Sequence, residues 1–151
     1  MFGLQHGSVY TALRDQLRDY YRVLALLTSK IDTEREGRSG SELTLQRLWT
    51  WLQAPCEKMR FLVSLSEACA RLCGGALCST VHSFSRTGDA LAKEACLAIL
   101  RRVVRPLLAM IRAWMTEGEL QDPFGEFFVR ADAAASLEDL WTRMYSLDTE
   151  M

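Results

Sequence analysis

Apolar residues along most of this chain recur every three or four positions, a spacing that fits helices and not strands. Val9, Leu13, Leu17, Tyr20, Leu24 and Leu27 mark the first stripe. With Ser8 as a side-chain cap, they predict one long amphipathic helix over about 8 to 31. Asp32 to Ser41 is polar and carries glycine, so it reads as a loop. Leu45, Leu48, Trp49 and Leu52 predict a short second helix capped by Thr44. Pro55 either ends that helix or opens the next, because proline is tolerated in a first turn. Met59, Leu62, Val63, Cys69 and Leu72 carry a third helix to Gly74-Gly75, where glycine suits a left-handed helix end.

Leu77, Val81 and Phe84 predict a fourth helix, broken by Thr87-Gly88-Asp89. Asp89 is placed to cap a fifth, which runs to about Thr116 through Leu91, Ala95, Ile99, Leu100, Val103, Leu107, Ile111 and Trp114. Pro106 lies inside it and removes a donor, so a kink is expected near Arg102 to Arg105. Gly118 is the expected stop. Asp122-Pro123 and Gly125 mark a turn, and Glu126 to Arg130 reads as extended. Ser136 to Asp139 has capping-box character and predicts a last helix carrying Leu137, Leu140 and Tyr145 or Trp141. No run alternates long enough for a sheet. The expected fold is therefore all-α, a helical bundle of about five to six helices with a short extended segment after the long fifth helix.

Length and composition agree with one soluble-type globular domain. The chain has 151 residues, 49% of them apolar and 25% charged. Net charge is −1, so nothing global points to nucleic acid. The neutrality hides an asymmetry. Basic residues gather at Lys93, Arg101, Arg102, Arg105 and Arg112, and acids gather from Glu117 onward. Such polarity either steers a partner or forms two solvated faces. Met1 to Gly7 has neither a basic start nor an apolar run, so no leader is expected. The most apolar stretch, Leu97 to Met115, contains four arginines, so no membrane span is expected. A cytosolic location is the default expectation.

Catalytic constellations are missing. Gly74-Gly75 lacks the lysine and the spacing of a phosphate loop. The two histidines, His6 and His82, carry no motif that brings them to a cysteine and an orienting group. No enzyme activity and no cofactor are expected. Cys69, Cys73, Cys78 and His82 present four ligand types, each pair four residues apart on a helix. They lack the knuckle spacing of a zinc site, and the plainer reading is core cysteines with a partly buried histidine. In a reducing compartment the five cysteines read as small buried hydrophobes.

Four blocks then line up with a family. Leu43 to Leu52 (LTLQRLWTWL), Gly74 to Asp89 (GGALCSTVHSFSRTGD), Trp114 to Val129 (WMTEGELQDPFGEFFV) and Leu140 to Leu147 (LWTRMYSL) resemble, in order, the N-terminal grip motif of γ-tubulin complex components. The opening helix, with Leu17-Arg18-Asp19-Tyr20-Tyr21, looks like that family's LxxYY helix. Within the family the likeness is strongest to the third component, a spindle pole body component. The most specific run is carried by Trp114, Gly118, Leu120, Asp122, Pro123, Glu126, Phe127, Phe128 and Val129. Nine fixed residues in sixteen are far harder to meet by chance than a helical stripe.

The resemblance implies structural work. In this family the N-terminal grip region is a helical bundle that packs laterally against neighbouring components, and a C-terminal grip region binds γ-tubulin. Side by side, they present γ-tubulins in a ring that templates a microtubule. It implies a scaffold fragment in the cytoplasm at microtubule-organising centres and spindle poles. Its partners would be other γ-tubulin complex components and, through the full-length parent, γ-tubulin, with neither nucleic acid nor membrane. On this reading residues 1–151 are a partial N-terminal grip domain, and the C-terminal γ-tubulin-binding domain is absent. A generic helical interaction module unrelated to microtubules is the alternative.

Read residue by residue, the signature is mostly architectural. Trp114 buries a ring at the end of the long helix, Gly118 lets the chain reverse, and Leu120 inserts beneath the turn. Asp122-Pro123 fixes the turn. Phe127 and Val129 point one way and Phe128 the other, so one face is core and the other is core or interface. Glu126 is expected to pair with an arginine of the long helix. The candidate interface is Arg101, Arg102, Arg105 and Phe128.

Overall fold

The computed structural model describes residues 3–36, 44–132 and 144–148. Four helices occupy most of them: α1 Leu4–Arg35, α2 Leu45–Cys69, α3 Gly74–Phe84 and α4 Ala90–Glu117. Two short strands follow, β1 Val129–Ala131 and β2 Tyr145–Leu147. They pair antiparallel with Val129 opposite Leu147 and Ala131 opposite Tyr145. The all-α expectation holds, with corrections in the details.

The expected second and third helices are one. α2 runs unbroken through Pro55. The apolar or half-buried positions Leu48, Leu52, Pro55, Met59, Leu62, Leu65 and Cys69 keep a three-or-four spacing across the proline. Continuous burial of that stripe outweighs the single hydrogen bond that Pro55 removes. α2 ends at Cys69, before the glycines, and a turn follows in which Leu72 N–H donates to Cys69 O at 3.2 Å. Gly74 does take a left-handed φ of 62°, but it opens α3 and does not close the helix before it. Thr44 caps α2 as expected, its hydroxyl oxygen accepting the Arg47 N–H at 3.3 Å. Asp89 caps α4, accepting the Leu91 N–H at 2.9 Å. α4 continues through Pro106 to Glu117 and stops at Gly118, whose φ of 69° is left-handed.

α1 starts a turn earlier than predicted. Its N-cap is Gly3, which has no side chain to offer, and the Ser8 hydroxyl instead donates back to the Leu4 carbonyl at 3.0 Å. α1 also reaches four residues into the expected loop, to Arg35. The last helix expected from Ser136 lies largely outside the described residues, but Tyr145 falls in a strand and not a helix. The small sheet was not expected either. Its strands are three residues long, too short to show alternation.

The core has two parts. In the larger, Val9 and Ala12 of α1 meet Leu62, Leu65 and Cys69 of α2, Leu77 and Val81 of α3, and Cys96, Ile99 and Val103 of α4. The smaller lies at the far end of α4, where Met110 packs with Phe127 and Val129. α4 belongs to both, so it is the spine that sets the signature turn relative to the bundle.

Candidate functional site

The signature segment begins where α4 ends. Trp114 is half-buried against the smaller core, and its ring meets Tyr145 edge-on at 4.6 Å between centroids. Gly118 turns the chain, and Leu120 folds back onto the same cluster. The Asp122 carboxylate then organises the turn. It accepts the N–H groups of Phe124 at 3.4 Å, Glu126 at 3.0 Å and Phe127 at 2.8 Å. An aspartate reaches its own downstream backbone in this way because its side chain is short. Pro123 occupies the exposed second position, and Gly125 takes a φ of 66° that a side chain would resist.

Past the turn, Phe127 is buried, Phe128 is 41% exposed and Val129 is buried, so the extended run splits its faces as the sequence predicts. The Asp148 N–H donates to Phe128 O at 2.8 Å, and an Arg130–Asp148 ion pair flanks the strands. Phe128 is held by its backbone and by the Phe127 ring 4.4 Å away, with its outer face toward solvent.

Glu126 does not pair with an arginine. It is buried, and its two carboxylate oxygens each lie 3.3 Å from the backbone nitrogen of Gln5, which donates to them from the first turn of α1. That N–H is one of the donors a helix leaves unsatisfied at its start. Glu126 therefore acts as the N-cap that Gly3 cannot supply, from 121 residues away. The approach is close enough that any side chain at position 3 would push the carboxylate out of place. A Cβ there would stand 1.9 Å from the Glu126 carboxylate oxygen. Negative charge at a helix N-terminus is also favoured by the helix dipole.

The arginines of α4 divide. Arg102 forms an ion pair with Asp15 of α1, which holds the Asp15 carboxyl below its ordinary value, so this member of the candidate interface ties two helices of the same chain. About half of the Arg102 side chain remains exposed. Arg101 and Arg105 are exposed and point away from the bundle core, and among the described residues neither forms an ion pair. Phe128 and these two arginines are thus surface groups.

Residues 2–151 match the family described as Gamma tubulin complex component N-terminal. The chain belongs to the γ-tubulin complex component family. It is similar to Gamma-tubulin complex component 3 of Arabidopsis thaliana, 37% identical over 145 residues that cover 93% of this chain and 17% of that protein. It is similar to Gamma-tubulin complex component 3 of Homo sapiens at 36% over 154 residues, covering 99% of this chain and 17% of that one. Spindle pole body component 98 of Dictyostelium discoideum is 26% identical over 184 residues, covering 96% and 23%. The chain thus spans less than a quarter of the length of each of these relatives.

Within this γ-tubulin complex component domain, the four-ligand cluster does not assemble. Cys69 is buried, Cys78 is half-buried, and Cys73 and His82 are exposed. Among the described residues no three His, Cys, Asp or Glu side chains gather in a way that could hold a metal ion. Burial pushes the thiols of Cys69 and Cys78 up, with the Glu126 charge adding to the effect at Cys78. Cys96 is pushed up to about 11 by burial, and its thiol donates to the Val81 carbonyl at 3.5 Å. A recess of about 450 Å³ between α1 and the α2–α3 corner is lined mainly by apolar groups such as Val9, Leu13 and Leu77. Among the described residues no helix is long and apolar enough to cross a membrane.

Two structural roles escaped the sequence reading. Asp15 gave no sign of its partner on α4. Glu126 was misassigned, although one clue was present. A long helix preceded by glycine and lacking a capping side chain must find its acceptor elsewhere.

Proposed function

We propose that this chain works as the N-terminal part of a structural scaffold subunit of the γ-tubulin complex. In that role it supports lateral assembly of components for microtubule nucleation in the cytoplasm, at microtubule-organising centres and spindle poles. The family match over residues 2–151 carries the reading. The named relatives, components of γ-tubulin complexes and of a spindle pole body, are consistent with it. Other components of the complex are the direct partners, and γ-tubulin is reached through the full-length parent. Catalysis has no part in this role. We assign the contact to Phe128, exposed at the signature turn, and to Arg101 and Arg105, exposed on α4.

Co-purification tests the reading. The tagged chain is mixed with purified γ-tubulin complex components, beside a variant carrying Phe128→Ala, Arg101→Glu and Arg105→Glu. Retention of components by the wild-type chain and loss by the variant is the expected result. If no component is retained, the scaffold role falls and a helical interaction module unrelated to microtubules takes its place. If the variant retains components as well as wild type, the interface assignment falls and the role stands.

A further inference from the structure

α4 carries an unusual charge pattern on the side turned away from the core. From Ala95 to Thr116 it contains no acid and four arginines, of which only Arg102 is paired. Arg101, Arg105 and Arg112 are exposed, with no ion pair among the described residues. They are not scattered. Ala98, Arg101, Arg105, Leu108, Arg112 and Met115 succeed one another at spacings of three and four. Each is exposed, Leu108 at 56% and Met115 at 77%. This ridge lies on the opposite side of α4 from Ala92, Cys96, Ile99, Val103 and Met110, which face the core. The helix therefore has two stripes, one spent on its own fold and one with no partner among the described residues.

We infer that this second stripe is a docking track for an acidic amphipathic α-helix of a partner protein. A three-and-four ridge matches the surface of another helix laid alongside it. The stretch from Ala98 to Met115 is about 25 Å long at the rise of an α-helix, enough for several turns of a partner. Leu108 and Met115 supply apolar knobs, and methionine adapts to varied partners. Acids on the partner complement the three arginines left unpaired among the described residues, and planar guanidinium groups engage carboxylates bidentately. Nucleic acid fits less well. The ridge interleaves its arginines with aliphatic groups, and no exposed aromatic lies on it for a base to stack on. Glu94 begins the same ridge, so the partner's acids lie beyond it, opposite Arg101 to Arg112. This deepens the scaffold reading, in which Arg101 and Arg105 form part of the assembly surface, by naming the chemistry of what they meet.

The test uses the purified chain and a synthetic helical peptide with leucine at heptad positions a and d and glutamate at e and g. The peptide binds the wild-type chain, more weakly as salt is raised. The Arg101→Glu, Arg105→Glu, Arg112→Glu variant binds at least about tenfold more weakly, as opposed charges at an interface demand. A second variant, Leu108→Ser, weakens binding without altering charge, and circular dichroism shows both variants helical. The inference is overturned if the peptide does not bind, or binds the triple variant equally. It is overturned too if a thymidine oligonucleotide or phosphatidylserine vesicles bind the ridge and the peptide does not. Retention of purified γ-tubulin complex components is scored separately. Peptide binding without component retention leaves the track standing and removes the scaffold reading. Component retention without peptide binding does the reverse.

Discussion

Removing the Glu126 carboxylate should loosen the start of α1, the helix most distant from it in sequence. In Glu126→Ala the first-turn N–H of Gln5 loses both of its acceptor oxygens. A hydrogen bond to a charged group contributes about 1.5–3 kcal/mol net. At 3.3 Å and shared between two oxygens, this one belongs at the lower end of that range. The charge at the helix start adds about 0.3–1 kcal/mol. Relief of the buried carboxylate's desolvation offsets part of this, so about 2 kcal/mol remains. For a chain of this size that is a fall in Tm of about 4–8 °C. Glu126→Gln keeps an acceptor but loses the charge and brings an amide to a helix end that already presents donors, so it should cost about half as much. Gly3→Ala attacks the same contact from the other side by placing a Cβ into the carboxylate. Hydrogen exchange localises the effect. Amides of residues 5 to 8 lose protection in Glu126→Ala and Gly3→Ala, while those near Ile99 and Val103 keep theirs. If Glu126→Ala melts within a degree of wild type and the first-turn amides are unchanged, the assignment of Glu126 as the cap of α1 is wrong.

The two phenylalanines of the signature should separate cleanly. Phe127→Ala empties the centre of the smaller core and should cost about 3–5 kcal/mol, while Phe128→Ala should change stability by less than about 1 kcal/mol, both read by denaturant unfolding. In the folded chain, alkylation followed by mass spectrometry should modify exposed Cys73 first and leave Cys96 unmodified at mildly alkaline pH, because burial holds that thiol at about 11. The Asp15–Arg102 pair should make stability depend on acid in a defined direction. The folded-state pKa of Asp15 lies below its ordinary 3.8, so its contribution is complete above 3.8 and is lost as pH falls through the lowered value. Asp15→Asn should therefore melt below wild type at neutral pH, and the gap should close in strong acid.

What the sequence made legible depended on how far each effect reaches along the chain. Thr44 and Asp89 cap helices two or three residues away, and both were read correctly because capping there is local chemistry. Asp122 and the alternation of Phe127, Phe128 and Val129 were legible for the same reason. Pro55 misleads because its penalty is local, whereas the apolar stripe that crosses it in phase is buried by α1, α3 and α4. The start of α1 misled because its cap arrives from the opposite end of the chain, and no window along the sequence contains both Gly3 and Glu126. Of the candidate interface, the exposure of Arg101 and Arg105 followed from helical phase, but the pairing of Arg102 needed α1 to lie against α4.

The signature mixes residues of such different character because each does a separate job. Asp122 folds the turn onto itself, Phe127 and Val129 fasten it to α4, and Glu126 carries its influence across to α1. Gly118 and Gly125 provide the two left-handed backbone positions that let the segment reverse in so few residues. Phe128 is the large apolar side chain of the nine left most exposed by this arrangement, held just before β1 with buried neighbours on both sides. A side chain presented so rigidly loses little freedom when a partner covers it, which favours association over a mobile equivalent. The turn thus joins the fold's two cores to its surface, and its effect on any partner contact runs through the orientation it gives to Phe128 and to the end of α4.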